Sequence, residues 1–205
     1  MTITAPDRVE TTIAPAGAKA KARRLPGEEG VWLFICGDMM VFAVFFLTFI
    51  YYRGLNPAIY DASQLKLNEF WGLINTLFLL TSSWCVAAAV HAARHGKEGL
   101  PTKFLVGAMV FGGAFVCVKI IEYGEKFAAG INVLTNEFFM FYFMFTGIHL
   151  VHVLIGLGVL TFLLNKSRKG YRSETDIQII EGGGAFWHLV DLLWVVLFAL
   201  LYLTR

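Results

Sequence analysis

Three pairs of ionisable residues stand at i, i+3 spacing inside strongly apolar stretches of the sequence. They are Lys119 with Glu122, His149 with His152, and His188 with Asp191. Residues three apart share one face of a helix, so each pair can act as a single polar site. Asp38 stands alone in the first apolar stretch. Because an ionised group in the middle of a bilayer costs about 2.5–3.5 kcal/mol, each of these residues requires a partner or a function.

The histidines are compatible with more than one chemistry. Neutral imidazole ligates metals and haem, so His149, His152 and His188 could form a membrane electron carrier. Alternatively, His149 and His152 with one carboxylate could bind a single metal ion. Two bis-histidine haems need four histidines in matched pairs, and the interiors of the apolar stretches supply three. We therefore expect hydrogen bonds to carboxylates and hydroxyls of neighbouring helices, each contributing about 0.6–2 kcal/mol, with no metal or cofactor bound by this chain.

The carboxylates Asp38, Glu122 and Asp191 raise the alternative of a proton-coupled transporter. Transporters commonly contain internal repeats and broken helices, and the sequence shows neither pattern. At a rise of about 1.5 Å per residue, Asp38 and Asp191 fall at one depth, with His152 near the midplane, and a contact between Glu122 and His149 is within reach. Because nucleotide-binding, nucleophile and metalloprotease motifs are also lacking, no catalytic residue is predicted.

Five stretches of the sequence are long and apolar enough to cross a bilayer as helices. The 205 residues are 57% hydrophobic and 16% charged, with a mean hydropathy of +0.64. The stretches run approximately over Gly30–Arg53, Phe70–Arg94, Lys103–Phe127, Glu137–Asn165 and Gly184–Thr204. They predict an all-α integral membrane protein, a bundle of five transmembrane helices over residues 30–205. Residues 1–29, rich in Ala, Pro and basic side chains, are expected to form a disordered tail.

Shorter features complete the predicted domain. The segment Gly54–Glu69 is interpreted as an ordinary external connection, and Gly182–Gly184 is expected to open the last helix at the membrane boundary. Small residues let transmembrane helices approach closely, so glycines are expected at helix contacts. These glycines are Gly112, Gly113, Gly147, Gly156 and Gly158. The three cysteines lie in apolar runs without CxxC spacing and indicate neither a disulfide nor a zinc site.

The distribution of Lys and Arg predicts the orientation of the bundle. Twelve basic residues fall on the side of the N-terminal tail and the second and fourth loops, and four fall on the opposite side. Cytoplasmic loops carry the excess of basic residues, so the N-terminus is predicted to be cytoplasmic and the C-terminus outside. The net charge of +2 is too small and too dispersed to favour a nucleic-acid partner.

The last apolar stretch, EGGGAFWHLVDLLW from Glu181 to Trp194, resembles the final helix of subunit III of haem-copper oxidases. That helix has a Glu, small residues, and then W-H-x-V-D-x-x-W, with Trp187 as its first tryptophan here. The run GIHLVHVLIG, Gly147 to Gly156, is similar to the family's G-x-H-x-x-H-V-x-x-G, and Glu122-Tyr123 matches its E-Y dipeptide. The resemblance covers about residues 30–202. Asp38 stands where cytochrome c oxidase members have a glutamate.

The resemblance implies an accessory subunit that carries no redox centre, binds phospholipid and helps to sustain turnover and proton uptake. It would dock on the large catalytic subunit of a haem-copper oxidase or nitric oxide reductase, in which haem and copper are held. The parent complex would lie in a bacterial cytoplasmic membrane. The opening GEEGVWLFICGDMMVFAVFF is similar to the short, five-helix NorE-like branch of the family.

Overall fold

A computed structural model describes residues 29–171 and 173–204. The predicted tail, residues 1–29, lies outside the described residues except for Glu29, and Arg172 and Arg205 lie outside them as well. The described chain forms six α-helices and one π-helical turn, and it contains no strand. The helices are α1 Glu29–Leu55, α2 Pro57–Gln64, α3 Glu69–Arg94, α4 Leu100–Ala128, α5 Glu137–Lys169 and α6 Glu174–Phe198, and the π turn is Ala199–Leu203.

Five helices are long and apolar enough to cross a membrane: α1, α3, α4, α5, and α6 continued by the π turn. The prediction of an all-α, five-helix transmembrane fold is therefore confirmed. The orientation of the termini stays a prediction. The helix starts follow ordinary capping chemistry, since Asn68 and Asn136 each accept a backbone N–H with their side chains at the starts of α3 and α5.

The last four membrane helices form the core of the bundle. Helix α3 packs against both α4 and α6, and α5 packs against both α4 and α6, so these four helices close around one interior. Helix α1 lies outside this group and is largely exposed. It contacts α5 mainly through aromatic rings, including Phe45 on Phe145 and Phe49 on Phe141, with centroids 5.8 Å apart in both pairs.

The segment after α1 is not an ordinary connection, because it contains helix α2. Pro57 at the first turn favours the helix start. Tyr60 is fully buried, and the amide of Gln64 donates to the carbonyl of Leu201 at 3.2 Å. Burial and the neighbouring Glu137 raise the pKa of Tyr60 to about 12, so its hydroxyl stays neutral at pH 7. Helix α2 thus covers the ends of α5 and α6.

The last helix begins ten residues earlier than predicted, at Glu174 rather than Gly184. Ser173 and Asp176 form a capping box that starts it ahead of the apolar stretch. The run Gly182–Gly184 therefore lies inside α6 and does not open it. A Cβ on Gly183 would lie 2.7 Å from a methyl carbon of Leu163, so this glycine lets α6 approach α5.

Two of the five glycines expected at helix contacts are at such contacts. A Cβ on Gly112 or Gly156 would lie 2.9 Å or 2.7 Å from the ring of Trp187. The expectation is wrong for Gly113, Gly147 and Gly158, because no described atom lies within 4 Å of a Cβ at these positions. Trp187 therefore explains which glycines are needed: its indole fills the space between α4 and α5.

Candidate functional site

The first polar site is a buried ion pair on α4. Lys119 and Glu122 are both fully buried, and Nζ of Lys119 lies 2.8 Å from Oε2 of Glu122. Oε1 of Glu122 accepts hydrogen bonds from the hydroxyls of Tyr142 at 2.9 Å and Tyr202 at 2.6 Å. The Lys119 ammonium also lies 4.8 Å from the ring of Trp194. This cluster joins α4, α5 and the π turn, and it compensates a charge pair that is costly to bury alone.

The predicted contact between Glu122 and His149 is not formed. Glu122 is occupied by Lys119 on its own helix, which supplies a full opposite charge three residues away. His149 is fully buried between Phe115 and Trp194, with ring centroids 5.7 Å and 5.3 Å away. Neither of its ring nitrogens has a hydrogen-bond partner in the described part of the chain. The hydrogen bond expected for this histidine is therefore absent there.

The second polar site joins α1 to α5. Nε2 of His152 lies 3.1 Å from Oδ1 of Asp38, and Nδ1 of His152 lies 2.9 Å from the carbonyl oxygen of Ile148. A carbonyl oxygen can only accept, so Nδ1 must carry a proton. The contact between Nε2 and Oδ1 then requires one further proton between imidazole and carboxyl. The pair can exist as neutral acid with neutral imidazole or as carboxylate with imidazolium, and either form holds that one proton.

The third polar site joins α3 to α6 through Ser83. The Ser83 hydroxyl lies 2.5 Å from Nδ1 of His188 and also interacts with the carboxyl of Asp191. Asp191 is buried, as predicted from its place in the apolar stretch, whereas His188 is exposed. Asp38 and His152 therefore meet between α1 and α5, whereas Asp191 interacts between α6 and α3. The three residues predicted to lie near one depth do not form one site.

An open cavity of about 630 Å³ explains the exposure of His188. It lies between α1, α3 and α6, where α1 stands away from the other helices. His188 lines one wall, and Arg94 and Glu181 lie at one end, paired at 2.6 Å. The remaining lining is mainly apolar, and it includes Trp32, Ile35, Met39, Val90, Leu189 and Leu192.

The tryptophans singled out in the last helix have packing roles. Trp194 is fully buried, and its indole N–H donates to the hydroxyl of Thr76 on α3 at 3.0 Å. Trp187 is buried against the two glycines described above. Its indole nitrogen has no hydrogen-bond partner among residues 29–171 and 173–204. Both rings therefore fix the position of α6 against the helices around it.

Several residues that form these polar contacts were not among the predicted site residues, and all of them carry hydroxyl groups. Tyr142 and Tyr202 bind Glu122, Ser83 binds His188, and Thr76 binds Trp194. A hydroxyl is far cheaper to bury than a charge, so such residues do not stand out in an apolar stretch. Helical spacing was the available signal, since Thr76 and Ser83 lie seven residues apart on one face of α3.

The three histidines of the predicted site, His149, His152 and His188, do not form a shared ligand set. His152 uses both ring nitrogens in contacts within the chain, His188 contacts Ser83, and His149 lies among aromatic rings. Across residues 29–171 and 173–204, no group of three or more His, Cys, Asp or Glu side chains is arranged to hold a metal ion. The arrangement therefore gives no support to the electron-carrier alternative.

Comparison with known proteins gives matches along nearly the whole chain. The family model described as cytochrome c oxidase subunit III matches residues 9–204. The chain is 29% identical to cytochrome c oxidase subunit 3 of Synechocystis, with 85% of this chain and 74% of the relative covered. It is 28% identical to cytochrome bo(3) ubiquinol oxidase subunit 3 of Pseudomonas putida, with 85% and 84% covered.

A third relative is a longer protein, the heme-copper oxidase subunit I+III of Aeropyrum pernix. Identity is 26% over 188 residues, which is 86% of this chain and 22% of that relative. The name of this relative joins two oxidase subunits in one chain, and the present chain matches 22% of its length.

Proposed function

The chain belongs to the cytochrome c oxidase subunit III family, and we propose that it is an accessory subunit of a respiratory haem-copper oxidase, without redox centres of its own. The observation that carries this proposal is the match of the cytochrome c oxidase subunit III family model to residues 9–204. The resemblance found in the sequence motifs is thereby confirmed at the level of the family, and membership of the NorE-like branch stays a prediction.

The geometry of the polar groups supports an accessory role. Most of the intramembrane charges and imidazoles contact another helix: Lys119 and Glu122 contact α5 and the π turn, and Asp38 contacts His152. Asp191 and His188 interact with α3. Side chains engaged in this way serve helix association. In a transporter, these side chains would instead face a path for the substrate.

The partner we propose is the large catalytic subunit, which would hold the haem and copper. A relative whose name joins subunits I and III in one chain supports such a partner. The relatives described above are named as oxidases of cytochrome c or ubiquinol, so oxygen reduction is favoured over nitric oxide reduction for the parent complex. Five membrane helices and the basic-residue bias support a bacterial cytoplasmic membrane as the location.

The phospholipid predicted for this chain would fit the open cavity between α1, α3 and α6. Its apolar walls suit acyl chains, and Arg94 at one end suits a phosphate group. Ala87 lines this cavity, whereas Ala88 lies next to it in sequence and faces elsewhere. We expect Ala87→Trp to reduce the phospholipid retained in native mass spectrometry, with Ala88→Trp as the matched control. Equal retention in both variants would contradict this placement.

A second role that we propose is to sustain proton uptake during turnover, with the Asp38–His152 pair as the proton-holding group. The test compares the purified complex with the same complex depleted of this chain. We expect equal haem content and equal initial oxygen consumption, followed by faster loss of activity in the depleted complex. An initial rate that falls to zero with this chain absent would instead assign it a part in the chemical step.

A further inference from the structure

Two exposed histidines lie side by side where α3 ends. His91 is in the last turn of α3, and His95 is its C-cap, one helical turn later. Their ring centroids are 4.2 Å apart, and the ring planes differ by 37°. His91 also lines the open cavity between α1, α3 and α6, and neither histidine belongs to the three polar sites described above.

The hydrogen bonding of His95 leaves a ring nitrogen available. Nδ1 of His95 lies 2.8 Å from the carbonyl oxygen of His91, so it carries the proton and donates to that oxygen. In the neutral ring, this tautomer leaves the lone pair on Nε2. Metal-ligating histidines commonly fix their ring and tautomer through such a bond to a backbone carbonyl.

The helix end holds this arrangement in place. Gly96 adopts φ 63°, and the backbone N–H of Lys97 donates to the carbonyl of Ala92, which closes the helix directly after His95. The carbonyl groups at a helix C-terminus carry partial negative charge and favour a cation. Lys97 is exposed, and its positive charge disfavours a second cation at this helix end. The charge of Arg94, in contrast, is balanced by Glu181 at 2.6 Å.

We propose that His91 and His95 form a bidentate surface site for a borderline divalent transition-metal ion such as Zn²⁺ or Cu²⁺. Imidazole nitrogens suit these ions, and two histidines at i, i+4 on one helix face can bind one ion. Ligands about 2.0–2.1 Å from a tetrahedral ion lie about 3.4 Å from each other, which is comparable with the 4.2 Å between the two ring centroids. Water would occupy the other coordination positions.

The test is Cu²⁺ titration of the full chain, purified in detergent without a polyhistidine tag and followed by electron paramagnetic resonance. We expect one Cu²⁺ per chain with hyperfine splitting from two nitrogens. His91→Ala and His95→Gln should each weaken binding at least about tenfold. The glutamine keeps a side-chain N–H for the His91 carbonyl, so its effect would report the lost ligand and not a frayed helix.

The matched control is Lys97→Ala, which removes a neighbouring cation and should leave Cu²⁺ affinity equal or higher. Calorimetry with Zn²⁺ should give the same order of affinities. The proposal is overturned if either histidine can be replaced without loss of affinity, or if the bound Cu²⁺ shows a single nitrogen ligand. These outcomes are independent of whether the chain copurifies with an oxidase.

Discussion

Replacing Lys119 by Met tests whether the buried ion pair holds the bundle together. The substitution keeps most of the side-chain volume and removes the charge, which leaves Glu122 fully buried with only the hydroxyls of Tyr142 and Tyr202 as partners. Removing one member of a buried pair typically costs about 3–5 kcal/mol. We expect about 3 kcal/mol, because Glu122 keeps two hydrogen bonds and can take up a proton.

The assay is thermal unfolding of the purified chain in detergent, followed by tryptophan fluorescence. For a chain of this length, 1 kcal/mol shifts the midpoint by about 2–4 °C, so the variant should unfold about 6–12 °C lower. Lys103→Met is the matched control, since Lys103 is exposed, and it should change stability by less than about 0.5 kcal/mol.

The double variant Lys119→Met with Glu122→Leu separates the pair from its individual members. It leaves no unpaired buried charge, so it should recover about half of the stability lost in the single variant. About 1–2 kcal/mol should stay lost, because the two tyrosine hydroxyls no longer have their carboxylate acceptor. The reasoning is refuted if Lys119→Met is as stable as Lys103→Met, or if the effects of the two substitutions simply add.

Three further predictions concern packing, assembly and orientation. Gly156→Ala should destabilise the chain by about 1–3 kcal/mol in the same unfolding assay, because its Cβ would lie 2.7 Å from the Trp187 ring, whereas Gly147→Ala on the same helix should not. His188→Ala should reduce the yield of assembled complex more than the turnover of what assembles, since Ser83 loses one of its two partners on α6. Normal yield with abolished turnover would reverse that assignment. A cysteine placed at the N-terminus should react with an impermeant thiol reagent only in inverted membrane vesicles, and labelling in intact cells would contradict the predicted orientation.

The fold could be predicted from sequence because the bilayer imposes a simple requirement. A spanning helix needs about 20 apolar residues, and each of the five stretches meets it. Helix α2 and the first turns of α6 lie outside those stretches. Their formation depends on caps and on burial against other helices, which produce no long apolar run. Mean hydropathy therefore locates the spans and says little about their extensions.

The polar sites were predictable to different degrees. The pairing of Lys119 with Glu122 needs only the helical repeat, because both residues lie on α4. The pairing of Asp38 with His152 depends on how α1 packs against α5. The spacing of residues within a single helix cannot predict that packing. His149 and His152 differ by about 60° around α5, which is enough to bury one ring and turn the other towards α1. Rotation of each helix about its axis is set by packing across the whole bundle.

The most direct test of the accessory role is to purify the complex through an affinity tag on this chain, in mild detergent, and to record the visible spectrum of each separated subunit. We predict that a large haem-bearing subunit copurifies, and that the Soret band follows it and is missing from this chain. A tagged chain that runs alone, or one that keeps a Soret band after separation, would contradict the account.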